Sequence, residues 1–245
     1  MTEGSQLASQ TTALIFDFGN TIVEFGPKQF QFQNDELLRV LEQNFGSCDR
    51  AKLKEIRDRQ IVRPFSNGYR ENHLPEMCAE IIRELYELTP SEEHVELLVQ
   101  TRYRTYLDGL FLTDEVASTL EELHQHYRLA LLSNYPVGDL VRQGIDQLGI
   151  GHLFDVVVVS ADVGYVKPHA LPFERVLEEL HEVPERTVYI GDNWLADVQG
   201  AKRKGMSAIH TSQFMPYERF KPKPGDYEPD ERIQHLQELL RMFVS

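Results

Sequence analysis

Thr12-Ala13-Leu14-Ile15-Phe16-Asp17-Phe18-Gly19-Asn20-Thr21 decides the fold: an apolar run of strand length ends on an aspartate and a turn-forming Gly-Asn pair. Consecutive apolar residues over so short a span suit a strand covered on both faces, as in a parallel sheet. A second acidic turn, Gly191-Asp192-Asn193-Trp194-Leu195-Ala196-Asp197, follows another such run. Strands that end on the same side collect their carboxylates at one sheet edge. There a hard cation such as magnesium finds oxygen ligands, and a phosphate can bridge to it. That placement makes Asp17 a candidate nucleophile.

Outward from Thr12 to Phe18, four more runs rich in β-branched or aliphatic residues read as buried strands: Arg128 to Ser133, Asp155 to Ser160, Thr187 to Ile190 and Ser207 to Thr211. Amphipathic stretches separate them. Val137, Leu140, Val141, Ile145 and Leu148 recur at helical spacing, as do Phe173, Val176, Leu177 and Leu180. Strands alternating with helices predict an α/β protein with a parallel sheet and right-handed crossovers. Gly149 and Gly205 fall where helices need a left-handed C-terminal residue, and Pro172 suits a first helical turn.

Between the first and second strands, Glu24 to Asp108 holds hardly any strand-like run and predicts a helical insertion. Leu37, Val40, Leu41 and Asn44 mark one helix ended by Gly46, and Leu53 and Ile56 mark a second. Met77, Ile81, Leu85 and Leu88 mark a third. Thr89-Pro90-Ser91-Glu92 opens a fourth, with Thr89 as N-cap, Pro90 in the first helical position and Glu92 closing a capping box. The chain leaves the sheet just after Thr21 and returns near Phe111, which places the insertion over the acidic edge. Residues 1–10 read as a loose tail, residues 11–23 and 109–245 as the core, and residues 24–108 as a cap domain.

The 245 residues include 41% hydrophobic side chains, enough for a sizeable core, and carry a net charge of −14. Nucleic acid and anionic membranes are disfavoured as partners because they present like charge. Cys48 and Cys78 are too few for a disulfide framework, which points to a reducing cytoplasm. The N-terminus lacks a signal-peptide pattern, and no apolar run approaches membrane-spanning length.

Four motifs taken in order resemble those of the haloacid dehalogenase-like hydrolases. They are Asp17-Phe18-Gly19-Asn20-Thr21, Ser133-Asn134 after the second strand, Lys167-Pro168 after the third, and Gly191-Asp192 through Asp197 after the fourth. The resemblance covers nearly the whole chain. It implies a Rossmann-like sheet of at least five strands in the order 3-2-1-4-5, with the insertion as a cap between the first two motifs. It also implies a magnesium-dependent phosphatase, monomeric or dimeric, acting on a small phosphorylated metabolite. Asp17 would be the nucleophile that forms an aspartyl-phosphate. Asp17, the Gly19 carbonyl and Asp192 would hold the metal, with Asp197 supporting that sphere. Ser133, Asn134 and Lys167 would bind the phosphoryl oxygens, Lys167 adding a fixed positive charge.

Two positions depart from the family pattern. Gly19 stands where its phosphatases usually carry an acid-base aspartate, and glycine cannot transfer a proton, a loss of about 10²-fold or more in rate. Asn20 stands where glycine is usual. The resemblance therefore keeps open a metal-independent 2-haloacid dehalogenase and a catalytically weak member that binds a phosphometabolite. Taken singly, each motif residue has a plainer reading: an aspartate or serine at a strand end as a turn or helix cap, and an aspartate in a first helical turn as a partner of the helix dipole. Trp194 reads as a packing residue, His169 as a solvated loop histidine, and Arg63 to Arg70 as an interhelical connection.

Overall fold

The computed structural model describes residues 3–214 and 221–244. In chain order the elements are α1 (Glu3–Gln10), β1 (Ala13–Phe16), α2 (Pro27–Phe45), α3 (Arg50–Ser66), α4 (Leu74–Tyr86), α5 (Glu92–Asp108) and α6 (Asp114–His124), then β2 (Arg128–Ser133), α7 (Gly138–Gln147), β3 (Val156–Val159), α8 (Ser160–Val163) and α9 (Ala170–Leu180). They close with β4 (Thr187–Gly191), α10 (Gly200–Lys204), β5 (Ser207–Thr211), β6 (Glu231–Ile233) and α11 (Glu238–Phe243).

All strand pairs are parallel, in the order β3-β2-β1-β4-β5-β6. Successive side chains of a strand point to opposite faces. Leu14, Phe16, Leu129, Leu131, Val188 and Ile190 accordingly join one core layer, and Ala13, Ile15, Ala130, Leu132 and Tyr189 the other. The five expected strands are present and in the expected order. β6 is an addition: Glu231-Arg232-Ile233 has one apolar residue and gives no strand signal. It is anchored by Asp230, whose amide donates to the Ala208 carbonyl at 2.8 Å while its carboxylate accepts from the Ala208 amide at 2.7 Å.

The stretch expected as a loose tail is instead helical from Glu3, with Met1 and Thr2 outside the described residues. α1 lies beside α11, and Leu7 and Ala8 pack against the core, a pairing no local pattern announces.

Helices α2 to α5 fill the stretch between β1 and β2 around their own apolar centre of Leu37, Leu41, Ile56, Met77, Ile81 and Leu98. Gly46 ends α2 at φ +90°, as expected. α4 stops before the expected Leu88 because Glu87 turns left-handed, leaving Leu88 exposed. The N-cap of α5 is Ser91, accepting from the His94 amide at 3.2 Å, with Thr89 and Pro90 upstream. Arg63 to Ser66 belong to α3 rather than to a connection, with Pro64 inside the helix. Proline has no N–H for the Gln60 carbonyl. The Asn72 carboxamide donates to that carbonyl instead, at 2.9 Å.

Asn67 to Arg70 then turn toward the sheet. Val166 donates to the Tyr69 carbonyl at 2.8 Å and Glu71 to the Gly164 carbonyl at 3.0 Å, so the insertion is fastened by main-chain bonds to the loop that leads into Lys167. Among the described residues no helix is long and apolar enough to cross a membrane.

Phe173 of α9 is fully buried, lies 5.4 Å from the Tyr189 ring, and sits so near Gly200 that a Cβ there would come within 2.4 Å of it. Phe173→Ala should lower unfolding free energy by about 3–5 kcal/mol in equilibrium denaturation. A loss below about 1 kcal/mol would show that this layer of the core repacks around the void.

Candidate active site

β1 ends one residue before Asp17, whose amide donates to the Ile190 carbonyl of neighbouring β4 at 2.9 Å. The next turn closes on the Phe18 carbonyl, which accepts from Ile22 at 2.9 Å and Val23 at 3.1 Å. Asn20 takes the left-handed conformation, φ +58°, and its Oδ1 accepts from the Phe25 amide at 2.9 Å. Asparagine is among the few residues that tolerate that region, and its side chain supplies a hydrogen bond glycine lacks. The Asn20 departure therefore leaves the turn intact.

Lys167, 1% exposed, is the centre of the site. Its ammonium lies 2.7 Å from Asp17 Oδ1, 2.8 Å from Asp197 Oδ1, 2.8 Å from the Leu132 carbonyl and 2.6 Å from the Tyr189 hydroxyl. Tyr189 donates onward to the Leu132 carbonyl at 3.0 Å. Asp197 is fully engaged, since its Oδ2 accepts from the Asn193 amide at 2.9 Å. It sits in a widened turn from Trp194 to Gln199 of π-helical character, a local form frequent at functional sites. Gly191 makes room for it: a Cβ at that position would come within 2.4 Å of Asp197 Oδ2.

Asp17, Asp192 and Asp197 each offer a carboxylate oxygen, and the three lie within 4.8 Å of one another. Three carboxylates against the one ammonium of Lys167 leave two negative charges in a buried place. Burial raises the Asp17 carboxyl to about 6; the Lys167 charge opposes that rise and Asp197 adds to it. Asp192 is raised well above the usual carboxylate range, by burial first and then by Asp17 and Asp197. Lys167 is held above its ordinary value: burial works against its charge, and Asp17 and Asp197 outweigh it. An all-oxygen donor set with surplus negative charge fits a hard divalent cation.

The remaining expected residues converge on the same place. Ser133, Asn134, Gly19, Lys167 and the three aspartates all line one cavity of about 580 Å³. Asn134 is committed locally, its Nδ2 donating to the Lys167 carbonyl at 3.1 Å and its Oδ1 accepting from the Lys167 amide at 2.7 Å. Trp194 is a packing residue, buried with its indole N–H on Asp226 at 3.1 Å. His169 caps α9, its Nδ1 accepting from the Leu171 amide at 3.2 Å, with its ring stacked on Tyr165.

Several contributors escape sequence reading. Tyr189 carries one signal, a phenol within an otherwise aliphatic strand. His210, 2.8 Å from the Asp192 carbonyl, carries none. Arg57, Arg102, Gln33 and Tyr106 also line the cavity, and their helical spacing reads only as ordinary amphipathic pattern; Tyr135, in the loop after β2, lines it too.

Residues 14–211 match the family described as "Haloacid dehalogenase-like hydrolase". A glyceraldehyde 3-phosphate phosphatase from Methanothermobacter thermautotrophicus is 42% identical over 95 residues, 38% of this chain and 41% of that protein. The chain thus spans less than half the length of that relative. A pyrophosphatase PpaX from Bacillus velezensis is 30% identical over 168 residues, 68% of this chain and 69% of that protein. Among solved structures, a 2-haloacid dehalogenase from Pseudomonas syringae superposes with a TM-score of 0.72 at 22% identity, covering 95% of this chain and 97% of that one, a likeness of fold.

The raised Asp17 carboxyl sets the sign of a pH effect on the protein stripped of divalent cations. Folded Asp17 keeps its proton up to about pH 6, whereas the unfolded chain releases it near 3.8. The native state binds more protons in that window, so this group's contribution is intact below 3.8 and lost as pH rises through about 6. The loss is on the order of 3 kcal/mol, each tenfold difference in proton affinity between the two states being worth about 1.4 kcal/mol. Denaturation of chelator-treated protein at pH 4 and pH 6.5 reads the combined slope of Asp17 and of Asp192, which is raised in the same direction, and Asp17→Asn should reduce that slope. An identical slope in the variant would assign the effect elsewhere.

Proposed function

The chain belongs to the haloacid dehalogenase-like hydrolases, and from that premise we propose that it is a magnesium-dependent phosphatase of small phosphomonoesters. The observation that carries this reading is the buried gathering of Asp17, Asp192 and Asp197, with the Lys167 ammonium on only two of the three, so that carboxylates are in surplus. A dehalogenase acting without a metal has no use for that surplus. The name of the glyceraldehyde 3-phosphate phosphatase supports the same substrate class, and that of the pyrophosphatase supports phosphoryl chemistry more broadly.

Asp17, Asp192 and the Gly19 carbonyl would hold the cation, which when bound screens the repulsion between an anionic nucleophile and an anionic phosphate. Asp197, with both oxygens already bonded, acts as a positioning residue for Lys167 and for the Asn193 turn. Lys167 fixes Asp17 Oδ1 and so orients the carboxylate for attack. An Asp17 oxygen bonds to phosphorus as the ester oxygen leaves with its electron pair and takes up a proton. Water then attacks the phosphorus of the aspartyl-phosphate, gives up a proton, and releases inorganic phosphate and the free carboxylate. Ser133 donates to the phosphoryl oxygens, and backbone amides at the strand ends complete the cradle. Asn134 was expected among those donors. Its carboxamide holds the Lys167 main chain through its oxygen and one N–H, and its second N–H remains for a phosphoryl oxygen. The helical insertion serves as the cap that closes the cavity from above. Free Cys48 and Cys78 support a reducing, cytoplasmic setting.

Gly19 leaves the first turn without a proton donor. A Cβ there would meet Phe25 Cβ at 3.5 Å, an ordinary contact, so a side chain can start from this position.

Phosphate release from sugar phosphates and an aryl phosphate should require magnesium and stop with chelator, and Asp17→Asn should lower kcat by at least about 10³-fold. Halide release from a 2-haloacid in chelator would replace this reading with a dehalogenase. Gly19→Asp should raise kcat on alkyl phosphates by about tenfold or more and change aryl phosphate little, because a phenolate leaves without protonation. An equal change on both would mean that the native enzyme does not lack a leaving-group acid.

A further inference from the structure

Many cations among the described residues are paired. In the insertion Arg59 and Arg63 bind Glu80, and Arg104 binds Glu36. On the sheet side Arg142 binds Asp162. Lys54 and Asp58 at the cavity wall neutralise each other at 2.5 Å. Arg57 and Arg102 differ. Both line the cavity that holds Asp17, and neither forms an ion pair within 4 Å among the described residues. Arg57 is 7% exposed and donates to Asn34 Oδ1. Arg102 keeps Nη1 buried with no hydrogen-bond partner. Gln33, 8% exposed and lining the same wall, keeps Nε2 buried and equally unpartnered. Guanidinium and amide donors left open in a buried wall form a recess for an anion, and the planar guanidinium fork matches a carboxylate or phosphate.

Neither arginine forms an ion pair or hydrogen bond with Asp17 or Asp197, whose charge partner is Lys167. The phenol rings of Tyr106 and Tyr135, 4.4 Å apart, line the same cavity as the carboxylate cluster and the arginines. Burial first, and then the like charge of Arg102, push Arg57 down to about 9, the direction expected of cations lacking a counter-charge.

Resting on the phosphatase reading above, we propose that Arg57 and Arg102, with Gln33, bind a second anionic group of the substrate, a carboxylate or phosphate at the end remote from the ester that Asp17 attacks. The preferred substrate is then a small phosphomonoester with an anionic tail, and phosphomonoesters with neutral tails are poor ones.

The test compares kcat/KM for 2-phosphoglycolate (carboxylate tail), fructose 1,6-bisphosphate (phosphate tail) and two esters with uncharged tails, glycerol 3-phosphate and p-nitrophenyl phosphate. At least one anionic-tail ester should exceed glycerol 3-phosphate by about tenfold or more, and which one does so tells carboxylate from phosphate. Arg57→Gln and Arg102→Gln should each lower kcat/KM for that ester, mainly through KM, by about 10- to 100-fold more than for p-nitrophenyl phosphate. Arg57→Lys should recover part of the loss. Equal losses on charged and neutral tails, or no preference in the wild type, overturn the proposal. If no ester releases phosphate, the phosphatase reading fails by itself, and the recess is read by calorimetric titration of 2-phosphoglycolate and glycerol 3-phosphate. Tighter 2-phosphoglycolate binding that Arg102→Gln abolishes upholds the anion recess; equal binding of the two overturns it. Thermal melting of each variant separates lost binding from lost folding.

Discussion

A single buried ammonium organises the acidic edge of the sheet. Lys167 draws together the carboxylate after β1, a carbonyl of β2, a phenol of β4 and the carboxylate of the widened turn beyond β4. Taking charges out of water is expensive, and an isolated lysine or aspartate here would neutralise itself. Mutual proximity keeps Lys167 charged and restrains the rise of Asp17 that burial imposes. Chemistry and fold meet in that one side chain, because one of the groups it fixes, Asp17, is the nucleophile of the proposed reaction.

Its position is secured from several directions. Asn134 grips the Lys167 main chain at both N–H and C=O, so the ammonium projects from a fixed base. Gly191 lets Asp197 lie directly against the end of β4, and the Asn193 amide holds the far oxygen of that carboxylate. His210 braces the Asp192 main chain from β5. Gly191, Asn193 and His210 touch no reacting atom in the proposed chemistry, and with Asn134 they set the geometry of those that do.

Much of this was legible in the sequence because buried parallel strands read as short continuous apolar runs, and because function concentrates at their ends. Asp17, Ser133 and Asp192 stand at or just beyond a predicted strand and Lys167 in the loop region after one, and the fold carries them to one cavity. What stayed hidden depends on contacts distant in sequence. The Lys167–Asp17 pair spans 150 positions, and nothing local to Tyr189 or His210 announces what either touches. Arg57 and Arg102 lie on helices whose other arginines are ordinary surface cations; only packing reveals that these two lack counter-charges. β6 and α1 escaped for a related reason, since a short edge strand with one apolar residue and a terminal helix take their stability from neighbours. Helix ends were off by a few positions where a left-handed residue such as Glu87, or a competing cap such as Ser91, decided the stop or start.

The helical insertion leaves the sheet beside Phe25 and returns beside Tyr106, and those two rings stand 5.8 Å apart. Both splice points therefore open on one narrow seam, and the intervening helices carry their own apolar centre. Roof and floor are thus separately packed bodies that share one edge, so a change inside the apolar centre of the roof need not propagate into the strands below.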